Sequence, residues 1–232
     1  MSRRFYTNSN LTVGRVLLEG DEAHHLSHVC RFHVGDEVTL FNGDGREYSA
    51  RIMQISRRQV ELEITAMQSP ERELPYPVHI AVTLPKGERA DWLVEKLTEL
   101  GVTTLVPLQS RRSVVRPSIS KLDRLRRLVI EASKQCGRNH LMTIDASTDW
   151  ATYWPKVPPQ WQRLIAHPTG SSWHEKLERP TVVAIGPEGG FDDSELVDAI
   201  AAGWRCVALG PRILRIETAA VACAALLAIK LL

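Results

Sequence analysis

Only four cysteines occur in the 232 residues, and Cys30, Cys136, Cys206 and Cys223 have no short spacing between any two of them. Zinc-ribbon and CxxC redox chemistry are thereby excluded, and a reducing compartment, the cytoplasm, is the expected setting. No apolar run reaches the ~18 residues that a spanning helix needs. The longest, Thr218 to Leu232, has 15 residues and includes Lys230. The stretch Met1 to Asn8 has no apolar core behind Arg3 and Arg4, so no signal peptide is expected. A Walker lysine and a GxGxxG fingerprint are both missing, which argues against P-loop and dinucleotide chemistry. His24, His25, His28 and His33 cluster without a carboxylate or cysteine at ligand spacing, so no metal site is expected. What is present is ordinary globular composition, 44% hydrophobic and 24% charged, in a length that suits one large domain or two small ones.

The net charge of +2 conceals an uneven distribution. Residues 1–73 carry nine arginines against eleven acids, and residues 139–232 eight basic groups against ten acids. Residues 74–138 carry twelve basic groups against six acids, so the whole excess lies in one central segment. Such a patch is a candidate polyanion footprint, with a solvated helix face as the alternative.

The first 70 residues read as a small β-rich module. Val38 to Phe41 is a strand, and Asn42-Gly43-Asp44-Gly45 is a strong turn signal. Glu47 to Ile55 alternates with Tyr48, Ala50, Ile52 and Gln54 on one face, and Val60, Leu62 and Ile64 alternate again. Asp21 is placed to cap a short helix carrying the histidines. Residues 71–77, flanked and interrupted by prolines, form the expected linker. From residue 78 to 232 strands and helices alternate, which implies a mostly parallel sheet covered on both faces. Strands are expected at Val78–Leu84, Thr103–Leu108, Arg163–His167, Thr181–Ile185 and Cys206–Leu209. Helices are expected at Glu88–Gly101, with Trp92 on the inner stripe, and from a Ser120/Asp123 capping box onward with Leu122, Leu125, Val129, Ala132 and Cys136 inside and Lys134 outside. Further helices run over Asp193–Gly203 and from Glu217 to the end. The last is apolar nearly all round and must be buried, in its own core or, through residues such as Leu227, against a second copy.

Ligands of open α/β sheets bind beyond the carboxyl ends of the strands. Three such ends stand out: Ala166-His167-Pro168-Thr169-Gly170, Gly186-Pro187-Glu188-Gly189-Gly190-Phe191, and Leu209-Gly210-Pro211-Arg212-Ile213-Leu214-Arg215. Glycines there let a ligand approach the backbone, and Gly189 is where a β-branched side chain is expected to block it. A phosphate would meet Glu188, Asp192 and Asp193, so a neutral or cationic ligand suits this loop better.

The segments Leu209 to Ala220 and Ile185 to Phe191 resemble the RsmE family, 16S rRNA (uracil-N3) methyltransferases of the SPOUT class. Lys86-Gly87, Lys96 to Val102, Arg112-Ser113-Val114-Val115, Glu131 to Arg138, His28 to Arg31 and Phe41 to Gly45 match as well, in order and over nearly the whole chain. Cys136 and Met142 depart from the family, where serine and proline are usual. The resemblance implies an α/β fold with an N-terminal PUA-like β-barrel and a C-terminal SPOUT domain containing a trefoil knot. It implies a homodimer, S-adenosyl-L-methionine as cofactor, and 16S rRNA in the assembled 30S subunit as substrate. It places cofactor contacts on His167, Gly186, Glu188, Gly189, Gly190, Leu209, Gly210, Leu214, Thr218 and Ala219.

Uracil N3 holds a proton and is a poor nucleophile until it leaves, so the site must supply a base or stabilise the developing anion. Arginine suits the second role, and Arg138, Arg112 and Arg215 are the candidates. Arg31, Arg111, Arg112, Arg116 and Arg124 are candidate RNA contacts. Glu217 reads as a base or as a helix-start acid. Two rival classes remain: a non-catalytic rRNA-binding protein on the same scaffold, which the intact glycines oppose, and an oxidoreductase, which the missing fingerprint opposes.

Overall fold

The computed structural model describes residues 3–114, 116–174 and 176–229. Val115, part of one matching motif, and Lys230 to Leu232, the end of the expected last helix, lie outside the described residues. The chain divides into two compact units, residues 1–73 with 130–141, and residues 74–129 with 142–232.

The first unit begins with strand β1 (Arg4–Tyr6), β2 (Gly14–Glu19), helix α1 (Gly20–His24) and one π turn (His25–Val29). Strands β3 (Glu37–Phe41), β4 (Glu47–Ile55) and β5 (Gln59–Gln68) complete a five-stranded sheet in the order β1-β3-β4-β5-β2. Only the β1–β3 pair is parallel. Tyr48, Ala50, Ile52, Val60, Leu62 and Ile64 form its core, as the period-two alternation requires. Gln54 does not join them. A bulge between Ile52 and Gln54 inserts Met53 and leaves Gln54 exposed. Asp21 is not the cap of α1: Glu19 stands at that position without a side-chain bond, and Asp21 lies in the first turn, where its charge suits the helix dipole.

Residues 130–141 add an ionic seam to this unit. Lys134 is 4% exposed, against the helical-wheel expectation, because Glu22 at 2.7 Å and Glu131 at 3.1 Å neutralise its ammonium. Cys136, assigned to the buried stripe, is exposed instead.

The second unit holds β6 (Val78–Val82), α2 (Glu88–Glu99), β7 (Thr104–Gln109) and the first part of α3 (Ile119–Cys136). Two short strands, β8 (Thr143–Ile144) and β9 (Thr148–Asp149), and one turn of helix, α4 (Trp150–Tyr153), follow. The chain then forms β10 (Gln162–Ser172), β11 (Thr181–Ile185), α5 (Asp193–Ala201), β12 (Arg205–Ala208) and α6 (Ile216–Ile229). The sheet is parallel throughout, in the order β12-β10-β11-β6-β7-β8, with β9 also on β7. Every residue of β7 and β11 is buried, as central parallel strands demand.

Three local expectations are corrected. Trp92 is 44% exposed, and Ala90, Leu93, Val94, Leu97 and Thr98 form the inner face of α2. At the start of α3 the Ser118 hydroxyl accepts from the Lys121 amide at 3.2 Å, while Asp123 pairs with Arg126. Leu227 is fully buried within this chain, together with Ala220, Cys223 and Ala224, so that face of α6 belongs to the chain's own core. Burial pushes the Cys223 thiol up to about 12.

Candidate active site

The site is assembled at the carboxyl ends of β10, β11 and β12. β10 pairs regularly with β12 up to Ala166, opposite Val207, and Ser171 then faces the same Val207. Residues 167–170 are therefore extruded from the ladder. A bulge of this kind re-aims side chains, and His167 and Pro168 become part of a cavity wall. Gly170 closes the bulge: a Cβ there would stand 2.5 Å from the Val207 nitrogen, so no larger residue fits beside the β12 backbone. His167 Nδ1 is held by Thr169, 2.9 Å from its hydroxyl and 3.3 Å from its amide nitrogen.

The loop after β11 turns on a bond from the Gly190 amide to the Pro187 carbonyl at 2.8 Å, with Gly190 at φ +69°. α5 follows with a complete capping box: Asp192 accepts from the Ser194 amide at 3.1 Å, and Glu195 accepts from the Asp192 amide at 2.8 Å. The Ser194 hydroxyl and amide, with Arg111 and Arg112 nearby, hold the Asp192 carboxyl below the usual carboxylate range. The helix N-terminus is thus occupied by the protein's own acids and is closed to phosphate.

These loops and the start of α6 enclose a cavity of about 450 Å³. Ile185, Phe191, Leu209, Ile213, Leu214 and Ile216 supply its apolar wall, and Glu188, Arg212 and Arg215 its charges. An apolar body with a cationic centre and a few polar edges matches this lining. His167, Gly186, Glu188, Gly189, Gly190, Leu209, Gly210, Leu214 and Ala219 all line this one cavity. Thr218, expected with them, is exposed and outside the lining, because it lies on another face of α6 from Ala219. At Gly189 a Cβ would make an ordinary 3.5 Å contact with the Arg112 chain, so the protein's own packing does not demand glycine there. Phe191, Arg212, Ile213 and Ile216 also line the cavity; the first three lie within the strand-end loops singled out in the sequence but were not among the expected cofactor contacts, and Ile216 follows the last of these loops. The spacing of Asp192 and Glu195 would have revealed the capping box.

The arginines separate into distinct environments. Arg215 lines the cavity. Arg112 donates through Nη1 to the Gly189 carbonyl at 2.8 Å. Arg138 is 5% exposed and forks onto Glu73 at 2.8 and 2.6 Å within the first unit, a structural ion pair. Arg111 reaches Ser194 at 2.8 Å, Arg116 reaches Asp149 at 3.3 Å, and Arg124 grips both oxygens of Asp91 at 2.6 and 2.5 Å. Arg31 is exposed, at φ 57°. Arg127 is exposed as well. Glu217 is 6% exposed in the first turn of α6, with one oxygen 3.4 Å from Arg89.

A parallel sheet with a ligand cavity at its strand ends, in a chain that also carries a small β unit, is the architecture of an α/β ligand-binding protein. Residues 72–228 match the family described as RNA methyltransferase domain, and residues 18–65 match the RNA methyltransferase PUA domain. Ribosomal RNA small subunit methyltransferase E of Synechocystis sp. is 34% identical over 88% of this chain and 69% of its own length. That of Bacillus subtilis is 29% identical over 87% of this chain and 85% of its own length. The crystal structure of the Neisseria gonorrhoeae protein of the same name, bound to S-adenosyl methionine, superposes with a TM-score of 0.88 at 33% identity, covering 96% of this chain and 95% of that one. The chain belongs to the ribosomal RNA small subunit methyltransferase E family, RsmE.

Proposed function

We propose that this protein transfers a methyl group from S-adenosyl-L-methionine to N3 of one uridine in the decoding region of 16S rRNA, acting on the assembled 30S subunit in the cytoplasm. The observation that carries the reading is the convergence of three strand-end loops on one cavity with an apolar wall, an exposed Glu188 and a self-capped helix N-terminus. The Neisseria relative, with S-adenosyl methionine bound, supports the same ligand.

When bound, the cofactor supplies an electrophilic methyl group on a sulfonium centre. The chain's task is to hold and orient it through the loops at 185–191 and 209–216, with Glu188 favouring positive charge. Arg215, in the cavity lining, is assigned to the negative charge that develops on the uracil carbonyl oxygens once N3 gives up its proton. Arg112 is close to the same loop, and Arg111, Arg116 and Arg124 belong to the basic segment assigned to the rRNA backbone, with Arg31 in the first unit. No metal is required by this chemistry.

The finer fold assignment is a PUA-like barrel followed by a trefoil knot. Its support is the path of the chain after β12: from this edge strand it passes through the 209–215 loop and returns as α6 to pack on β6 and β11 near the sheet centre. The homodimer is supported by the second face of α6, where Val221, Ala225 and Leu226 are half-exposed and Ile229 is exposed. A calorimetric titration with S-adenosylmethionine separates this reading from a non-catalytic rRNA-binding scaffold. Stoichiometric binding supports the enzyme, and no binding by the folded protein supports the scaffold.

A further inference from the structure

A second, smaller cleft of about 250 Å³ opens on the same carboxyl edge of the sheet. Its position follows from the short elements that sequence patterning did not reveal. β9 pairs with the end of β7, Gln109 opposite Asp149, and the chain then turns through α4 to Trp154. The other wall is the outer side of α5, with Ser194, Glu195 and Asp198. Trp150 is buried beneath, where its indole N–H reaches the Glu195 carbonyl at 3.4 Å. Trp154 lines the cleft and is only half-buried.

The charges are arranged in two kinds. One arginine of the basic segment lines the cleft, Arg111, 68% exposed; a second, Arg116, 75% exposed, is outside the lining and reaches Asp149 at 3.3 Å. The carboxylates of Asp149 and Asp198 line it, and Asp198 has no side-chain partner among the described residues. An aromatic wall favours a stacked planar ring, carboxylates accept from ring amino groups, and exposed arginines favour phosphate. The combination matches one nucleotide whose base has an exocyclic amino group. The cleft is little more than half the size of the main cavity.

The two clefts have no lining residue in common but are linked through two neighbouring arginines. Arg111 and Arg112 are consecutive. The first reaches Ser194 in the small cleft, and the second reaches the carbonyl of Gly189, which lines the large one. An RNA strand entering the large cavity with its target uridine therefore brings a neighbouring nucleotide to the small one. We propose that this cleft is a subsite for an amino-bearing base of 16S rRNA near the methylated uridine, stacked on Trp154 and read by Asp149 and Asp198. The proposal rests on the RNA methyltransferase reading above and adds a determinant of substrate choice to it.

The test uses 30S subunits reconstituted with 16S rRNA in which each amino-bearing base flanking the target is replaced in turn by uridine. Methylation kinetics are measured with the wild type, Asp198→Ala and Trp154→Leu, and S-adenosylmethionine affinity is measured by calorimetry. One replacement is expected to raise the KM for the subunit roughly ten-fold with the wild type. The same replacement should have little further effect with Asp198→Ala, whose surface position on α5 leaves the fold and the cofactor affinity unchanged. Trp154→Leu should show the same loss of discrimination. Penalties that stay fully additive with Asp198→Ala, at normal cofactor affinity, would overturn the subsite alone. A wild type that methylates none of these subunits would overturn the underlying reading and the subsite with it.

Discussion

Arg112 Nη1 and the Gly189 carbonyl are 2.8 Å apart, and the Arg112 methylenes pass within 3.5 Å of where a Gly189 Cβ would stand. The side chain that sequence reasoning offered to the substrate is thus engaged with the loop after β11. A charged donor on a carbonyl contributes about 1.5–3 kcal/mol. Arg112→Gln is therefore expected to weaken S-adenosylmethionine binding about ten-fold in the absence of RNA, as read by calorimetry. Unchanged affinity would return Arg112 to a purely RNA-facing role.

The adjacent glycines of this loop are expected to behave differently. Gly190 sits at φ +69°, where an L side chain costs about 1–2 kcal/mol, so Gly190→Ala should lower the melting temperature by several degrees and weaken cofactor binding. Gly189→Ala meets only the flexible Arg112 chain and should lose little stability. Thermal melts of the pair, with and without cofactor, check the contrast.

The first unit should be acid-sensitive through Glu47. Burial raises its pKa, but hydrogen bonds from Arg72 and Arg4 outweigh burial and hold the carboxyl at about 2 against an ordinary 4.5. A depressed carboxylate stabilises the fold fully above the ordinary value, and the contribution is lost as pH falls from about 4.5 toward 2. Glu47→Gln should cost about 1–2 kcal/mol at neutral pH and flatten the stability profile across that window, measured by urea unfolding at successive pH values.

The two faces of α6 make separate predictions. Leu227 is fully buried in the chain's own core, so Leu227→Glu should unfold the second unit, at a cost of about 3 kcal/mol or more. Leu226 is half-exposed on the other face, so Leu226→Glu should leave the fold intact and produce a monomer in sedimentation velocity. A folded dimer of Leu226→Glu would place the partner elsewhere.

Strong periodicity made most of the fold legible. Glu47–Ile55 and Thr181–Ile185 could be read to the residue because alternation or unbroken apolarity is bounded there by turn residues. The glycine loops were legible because three strand ends of one parallel sheet must lie on one edge. Tertiary partners were not legible. Lys134 is buried by acids up to 112 residues away, and Arg138 by an acid 65 residues away. The bulge at 167–170 was read as a loop, because nothing local announces that β10 resumes against β12. Strands as short as β8 and β9 have too few residues to show a period, and β9 contributes Asp149 to the cleft assigned here to a second base.

The central claim is tested most directly by incubating the protein with labelled S-adenosylmethionine and 30S subunits from a strain lacking the corresponding gene. The methylated nucleotide is then located by reverse-transcription stops and identified by nucleoside mass spectrometry. The account predicts one 3-methyluridine per 16S rRNA, in the decoding region, with transfer abolished by Gly190→Val. Methylation at a carbon of the base, at a ribose or at another RNA, or no transfer by a folded protein that binds the cofactor, would contradict it.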